Sequence, residues 1–525
     1  MTLPASGATP IVERFFNRLM ELSPVEATYH GLHEHDGRWP DGSLAGAREL
    51  RELVEKLETE LKGAGSGLEL DLGRYYAGLT RFQLEEMRLW ARMPEAPDQI
   101  GTGLFLVFAR DFAPLEDRLE SLAARLEGVP GYLAASKERL IEPVRLWCDV
   151  AATSTRELPS LFTTLTAAAP EDTPLRQRLA RAAGPASEAA EDFARWLEED
   201  VGPRASDQWA LGEAAFYRLL DRRELPDGPD AILTLGRAAL EEAKDERRQL
   251  MTSCWPGHTV DQVNALIRGQ CPTSFEAALT EYRSVIAAAR EFVFARGLAT
   301  LPPDEELRVE PTPTFLRSVL PFAAYEPPAR FDRRQLGIYV VTPREGDLGE
   351  HNRPAVLNTS VHEGYPGHHL QFACAHSHPS VARLLSAECA HEMVEGWAHY
   401  CEQLMYEQGF TTGPEVRFVQ LNDLVWRACR IIIDVELSCG RMGAAEAVDL
   451  LVGEAAMARA AAEAEVRRYT FTPGYQLSYL YGKHLLLKLR QRRQRAEGAD
   501  FDLRGFHDRL LYAGTLPAAT WDGLF

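Results

Sequence analysis

Val361-His362-Glu363-Gly364-Tyr365-Pro366-Gly367-His368-His369-Leu370 is the stretch on which the reading of this 525-residue chain turns. It lies in a concentration of imidazole: of 14 histidines, eight (351, 362, 368, 369, 376, 378, 391 and 399) fall between 351 and 399. A His-Glu pair followed by a further histidine is the outline of a zinc hydrolase motif, in which two imidazoles bind the metal and the carboxylate works on its water. The spacing departs from HExxH, whose histidines share a helix face at i and i+4. On an unbroken helix His368 would point about 240° away from His362, and His369 would lie roughly 10 Å along the axis. Zinc–imidazole bonds of about 2.0–2.1 Å allow neither placement. Pro366-Gly367 offers a way out, because proline breaks the helix ladder and glycine tolerates unusual backbone angles. A local bulge there would return His368 or His369 to the metal.

Downstream, His391-Glu392-Met393-Val394-Glu395-Gly396-Trp397-Ala398-His399-Tyr400-Cys401-Glu402 reads as helix. An open catalytic zinc site needs a third protein ligand, often a carboxylate, and Glu395 or Glu392 could supply it. His391, Glu395 and His399 recur at i, i+4 and i+8 and so share one face. Cys374, Cys389 and Cys401 lie close in sequence and read as buried bystander thiols. In a later apolar run, Arg427, Arg430 and Asp434 follow at i, i+3 and i+7; such charges need partners if buried, and they either serve structure or bind a substrate terminus.

Around these motifs the chain reads as mainly α-helical. Residues 186–199 follow Pro185 and put Ala189, Phe193, Trp196 and Leu197 on one face. Residues 274–296 repeat that pattern up to Gly297, and an alanine-rich run spans 443–468. Between 302 and 343 eight prolines (302, 303, 311, 313, 321, 327, 328, 343) exclude continuous helix. Beside them Gly337-Ile338-Tyr339-Val340-Val341-Thr342 has the composition of a strand, and Ala355-Val356-Leu357 is a shorter candidate. The expected layout is a helical scaffold lobe (1–305), a proline-rich crossing with a small β element, and a lobe carrying the metal motifs (306–525), all within one domain.

Composition narrows the function. The net charge of −20 disfavours nucleic-acid backbones and anionic membranes. The opening residues MTLPASGATPIVERFFNRLMEL show neither a basic leader nor an unbroken apolar core, and eight sparse cysteines without a CxxC pair suit a reducing compartment. The expectation is a cytoplasmic protein of unspecified oligomeric state.

His-Glu-Gly-Tyr-Pro-Gly-His-His-Leu-Gln (362–371) and Val-Glu-Gly-Trp-Ala-His-Tyr-Cys-Glu-Gln-Leu-Met (394–405) resemble the two signatures of the bacterial domain-of-unknown-function family 885. The resemblance extends to Ser23-Pro24-Val25-Glu26-Ala27-Thr28 with Gly31, and to Pro473-Gly474-Tyr475-Gln476-Leu477-Ser478-Tyr479, so it covers nearly the whole chain. It implies a two-lobed, zincin-like helical metallopeptidase with its site in a cleft between the lobes. His362, His368 and Glu395 would then bind Zn2+, with Glu363 as general base and Tyr479 as the donor over the substrate carbonyl, a place for which Tyr475 and Tyr481 are close enough to compete. Gly367-His368 resembles the Gly-His ending of other helical zincin motifs, which favours His368 over His369. Many relatives resemble secreted lipoproteins, whose leader is not visible here. The chain also departs from the family pattern at Asp434-Val435-Glu436-Leu437-Ser438, where relatives tend to carry Asp-Thr-Gly-x-His. The implied substrate is a short peptide or other small amide; an inactive metal-binding scaffold, or a zinc hydrolase of a non-peptide amide or ester, is the alternative.

Overall fold

The computed structural model describes residues 10–312, 317, 323–343 and 346–525. Residues 1–9 of the leader reading, and Pro313 and Pro321 of the proline-rich crossing, lie outside them. The fold is mainly α, with 72% helix and 4% strand, as the periodicity requires. Two compact units divide the chain. One runs up to Trp209 and takes in Ala329–Gln335; the other holds residues 210–312, 323–328 and 336–525. Residues 210–305, grouped by sequence with the amino-terminal half, thus share a unit with the metal motifs. Among the described residues, no helix is long and apolar enough to cross a membrane.

In the first unit, the helices Leu115–Ser136, Arg145–Ala168 and Pro174–Trp196 bury Leu122, Leu126, Phe162, Leu165, Leu179 and Phe193 in one core. The last of these helices starts eleven residues before the expected start at Pro185. Thr173 caps it, its hydroxyl accepting the Arg176 N–H at 3.2 Å. Pro185 sits inside the helix, where Arg181, Gly184 and Pro185 are all exposed. The carbonyl that proline leaves without a partner therefore faces water, which lowers the cost of keeping it there.

The second unit carries the histidine motifs. The helix Phe275–Arg296 begins and ends where its signals place it, at the Ser274 cap and left-handed Gly297. The strand expected at 337–342 is the centre of a three-stranded sheet of order β1-β3-β2, built from β1 (Glu305–Pro311), β2 (Ala323–Glu326) and β3 (Gln335–Val341). Strands β2 and β3 run antiparallel, pairing Ala323 with Val341 and Glu326 with Ile338.

Two expectations fail here. Ala355-Val356-Leu357 belongs to the helix Arg353–Glu363, because Asn352 caps it with a 3.0 Å bond from the Ala355 N–H and Pro354 suits its first turn. The alanine-rich run breaks into Ala444–Ala455 and Arg459–Tyr469 at Ala456, whose φ of 52° ends the first helix without a glycine or proline to announce it.

Two long helices, His391–Glu407 and Ser478–Glu497, pack against each other with backbones in near contact. A Cβ at Gly396 would lie 2.5 Å from the carbonyl carbon of Gly482, and one at Gly482 would lie 2.3 Å from the Glu392 oxygen. Only glycine fits at either position.

Candidate metal centre

His362 lies in the last turn of Arg353–Glu363, and His368 is the first residue of the next helix, His368–His376. The expected bulge inside one continuous helix is instead a helix that ends and another that begins. The intervening Gly364-Tyr365-Pro366-Gly367 folds tightly back on the first helix: Gly367 donates its N–H to the Val361 carbonyl at 3.1 Å, and a Cβ on Gly367 would stand 1.9 Å from the His362 oxygen. The turn is tied to the neighbouring helix by Trp397, whose indole N–H donates to the Pro366 carbonyl at 2.8 Å. This return brings the two imidazoles to a ring separation of 4.8 Å, perpendicular to each other.

Glu395, on the helix His391–Glu407, completes the group. Its Oε2 lies 3.8 Å from Nε2 of His362 and 3.5 Å from Nε2 of His368. One ligand atom from each of the three residues falls within 4.8 Å of the others. Their exposures are 7%, 8% and 6%. Ligands of a tetrahedral zinc at about 2.0–2.1 Å stand about 3.4 Å apart, so the group is close to that size. Glu395 Oε1 accepts the Tyr475 hydroxyl, whereas buried Oε2 has no hydrogen-bond partner among the described residues. A carboxylate oxygen left without a donor between two imidazole nitrogens is costly as it stands. It is a fitting ligand for a divalent cation, and the two-histidine, one-carboxylate set suits zinc.

The electrostatics favour full ionisation of Glu395. Burial pushes its pKa up, but His362 and His368 hold it well below the usual carboxylate range. Burial likewise opposes a charged His362, yet Glu395 and Glu402 raise that imidazole to about 10 without metal.

Glu402, part of the second motif, is a candidate site residue to which the sequence alone assigns no role. Its Oε1 lies 2.8 Å from His362 Nδ1, and its Oε2 accepts an N–H from Asn358 at 3.0 Å. A carboxylate on the far nitrogen fixes the tautomer and orientation of a metal-binding imidazole. Its signal was its position, seven residues after Glu395 and on the same helix face. Glu402→Ala should weaken zinc affinity about 10- to 100-fold while leaving stoichiometry unchanged, as measured by chelator competition. His368 lacks such support: its buried Nδ1 has no hydrogen-bond partner among the described residues.

The remaining candidates separate. His369, fully buried, points into another network, with Nε2 at 2.8 Å from Glu305 and Nδ1 at 3.0 Å from the Tyr325 hydroxyl. Glu305 is also met there by Tyr365 and by Arg290 at 2.7 Å. Glu392 forms a buried pair with Arg223 and is committed away from the centre. His391 packs on Tyr475 at 4.8 Å, and burial pushes its pKa down to about 3. His399, also lowered to about 3 by burial, lies 3.5 Å from Glu402. The i, i+4, i+8 stripe therefore contributes one member of the triad.

Glu363 is half-buried at the end of its helix, and its charge acts on His362. Tyr479 lies with its ring 6.4 Å from the His362 ring, and burial together with Glu395 pushes its phenol pKa up, while the hydrogen bond to Glu395 Oε1 comes from Tyr475. Asp434 accepts the N–H groups of Gly474 and Leu477 at 2.8 and 2.9 Å, and so holds the loop that carries Tyr475. Ser438, where relatives tend to have histidine, donates to Asp434 at 3.3 Å.

The class defined so far is a mainly helical protein with a buried His-His-Glu constellation, one imidazole of which is braced by a carboxylate. Residues 24–522 match the family described as bacterial protein of unknown function, DUF885, and the chain belongs to that family. Solved structures that share its fold include two described as lipoproteins. One is described as "a putative lipoprotein of unknown function" from Shewanella oneidensis (TM-score 0.76, 24% identity, 99% of this chain and 100% of that one). The other is described as "the putative lipoprotein" from Colwellia psychrerythraea (TM-score 0.85, 18% identity, 98% and 97%). No curated protein matches the chain.

Proposed function

We propose that this protein is a zinc-dependent hydrolase of zincin-like architecture, a metallopeptidase acting on short peptides. The observation that carries the reading is the buried Glu395 Oε2, which has no hydrogen-bond partner among the described residues and faces the Nε2 atoms of His362 and His368. These three residues would hold Zn2+, leaving one position open. A zinc ion there supplies Lewis acidity, polarising a carbonyl oxygen and acidifying water. Glu363, adjacent in sequence to a ligand and not counted among the triad, accepts the proton of the attacking water on its carboxylate and returns it to the leaving amine. Glu402 keeps the Nδ1 proton of His362 in place, and Tyr475 fixes Glu395 through Oε1. Tyr479 offers a phenolic donor to the developing oxyanion.

Protein equilibrated with zinc and dialysed should retain about one equivalent, and should digest a mixed peptide library until a chelator is added. Mass spectrometry reads the cleavages, and elemental analysis reads the metal. Protein that stays metal-free sinks the reading; metal retained without turnover of peptides identifies a scaffold or a hydrolase of another amide or ester.

On location, the free state of all eight cysteines suits the cytoplasm, while the lipoprotein descriptions of the two structural neighbours favour the cell envelope. Fractionation of the native host distinguishes the two.

A further inference from the structure

Arg430 is 4% exposed, and its guanidinium is clamped between two rings, 4.0 Å over Trp426 and 4.5 Å over Tyr479. Two of its nitrogens are committed. Nε donates to the Tyr469 hydroxyl at 2.9 Å and Nη2 to Glu465 at 3.0 Å. Nη1 has no hydrogen-bond partner among the described residues. The surrounding charges are shared. Glu465 serves two guanidiniums, since Arg468 also donates to it at 2.9 Å. Arg427 adds a third, one helical turn before Arg430; it faces two carboxylates, Asp423 at 3.0 Å from Nη1 and Glu402 at 3.8 Å from Nη2, and its buried Nε and Nη1 make no hydrogen bond among the described residues.

Two of these arginines lie over the Tyr479 ring, Arg430 at 4.5 Å and Arg427 at 6.0 Å, in a chain whose net charge is −20. A guanidinium held rigid by stacking, with one donor left over, is a site for a carboxylate, because Arg–carboxylate hydrogen bonds are charge-assisted and directional. Distance sets which carboxylate. Tyr479 is near both groups, 4.5 Å from the Arg430 guanidinium and 6.4 Å from the His362 ring. Those two steps together match roughly three extended residues at 3.3–3.6 Å each.

We infer that Arg430 binds the free α-carboxylate of the substrate, so that the centre acts on bonds within three residues of a peptide's carboxy terminus. The inference rests on the peptidase reading for its catalytic meaning, but binding tests it separately. Calorimetry with the zinc-equilibrated protein should show Ala-Ala-Ala binding at least about tenfold tighter than its carboxy-terminal amide. Arg430→Met should reduce that preference to less than about twofold. Because a buried arginine is a demanding site to replace, Glu465→Gln supplies an opposite test: it leaves Arg430 in place and removes its offsetting charge, so the acid-over-amide ratio should rise.

Equal affinity for acid and amide, no binding of either at millimolar concentration, a preference that survives Arg430→Met, or a ratio unchanged by Glu465→Gln overturns the inference. Discrimination without hydrolysis of either peptide removes the peptidase reading and leaves the carboxylate anchor standing.

Discussion

His368→Ala should abolish tight zinc binding, and His369→Ala should leave it nearly intact while costing stability. The two residues are adjacent in sequence and both are buried, so composition and exposure do not separate them. Their partners do. His368 directs Nε2 to within 3.5 Å of Glu395 Oε2. Removing it leaves a histidine and a carboxylate, too few ligands to hold zinc against a chelator. His369 spends both ring nitrogens on Glu305 and Tyr325, and Glu305 is fully buried in that network. Its loss leaves Glu305 short of one donor, for a cost of roughly 2–4 kcal/mol. Zinc affinity by chelator competition and stability by urea denaturation should therefore respond to opposite members of the pair. A His369→Ala protein that folds and has lost zinc would remove His368 from the triad.

Glu363→Gln should keep its zinc and lose at least about two orders of magnitude in peptide turnover, the usual contribution of a positioned general base. The substitution keeps the size of the side chain and removes its ability to take a proton. Glu363 ends the helix that carries His362, and none of the three atoms facing the metal position is its own. The variant should show unchanged metal content with kcat lowered and KM little altered. Loss of zinc in this variant would instead make Glu363 a ligand.

Much of the centre was legible in the sequence because its parts are local. The histidine cluster, the adjacency of Glu363 to His362 and the helix bearing Glu395 are all short-range features. The spacing arithmetic was also informative: it excluded a continuous helix through 362–369, and the chain does break there, although as a turn between two helices rather than a bulge in one. What stayed hidden depends on contacts distant in sequence. Glu305, 64 residues from His369, draws that imidazole away from the centre. Arg223 commits Glu392 from 169 residues away. The break at Ala456 was hidden for another reason, since alanine is the strongest helix former and carries no stop signal.

The contact between Gly396 and Gly482 makes the spacing of two helices a hard stop rather than a cushion of side chains. One helix presents Glu395, immediately before its glycine; the other presents Tyr479, three residues before its own. Side-chain packing can relax by a rotamer change, whereas backbone against backbone has nothing left to compress. The gap between the carboxylate that would grip the metal and the phenol that would meet the substrate is therefore gauged by the main chain itself. Drift elsewhere in the sequence can reshape the walls of this centre freely, but its width is held by two missing methyl groups.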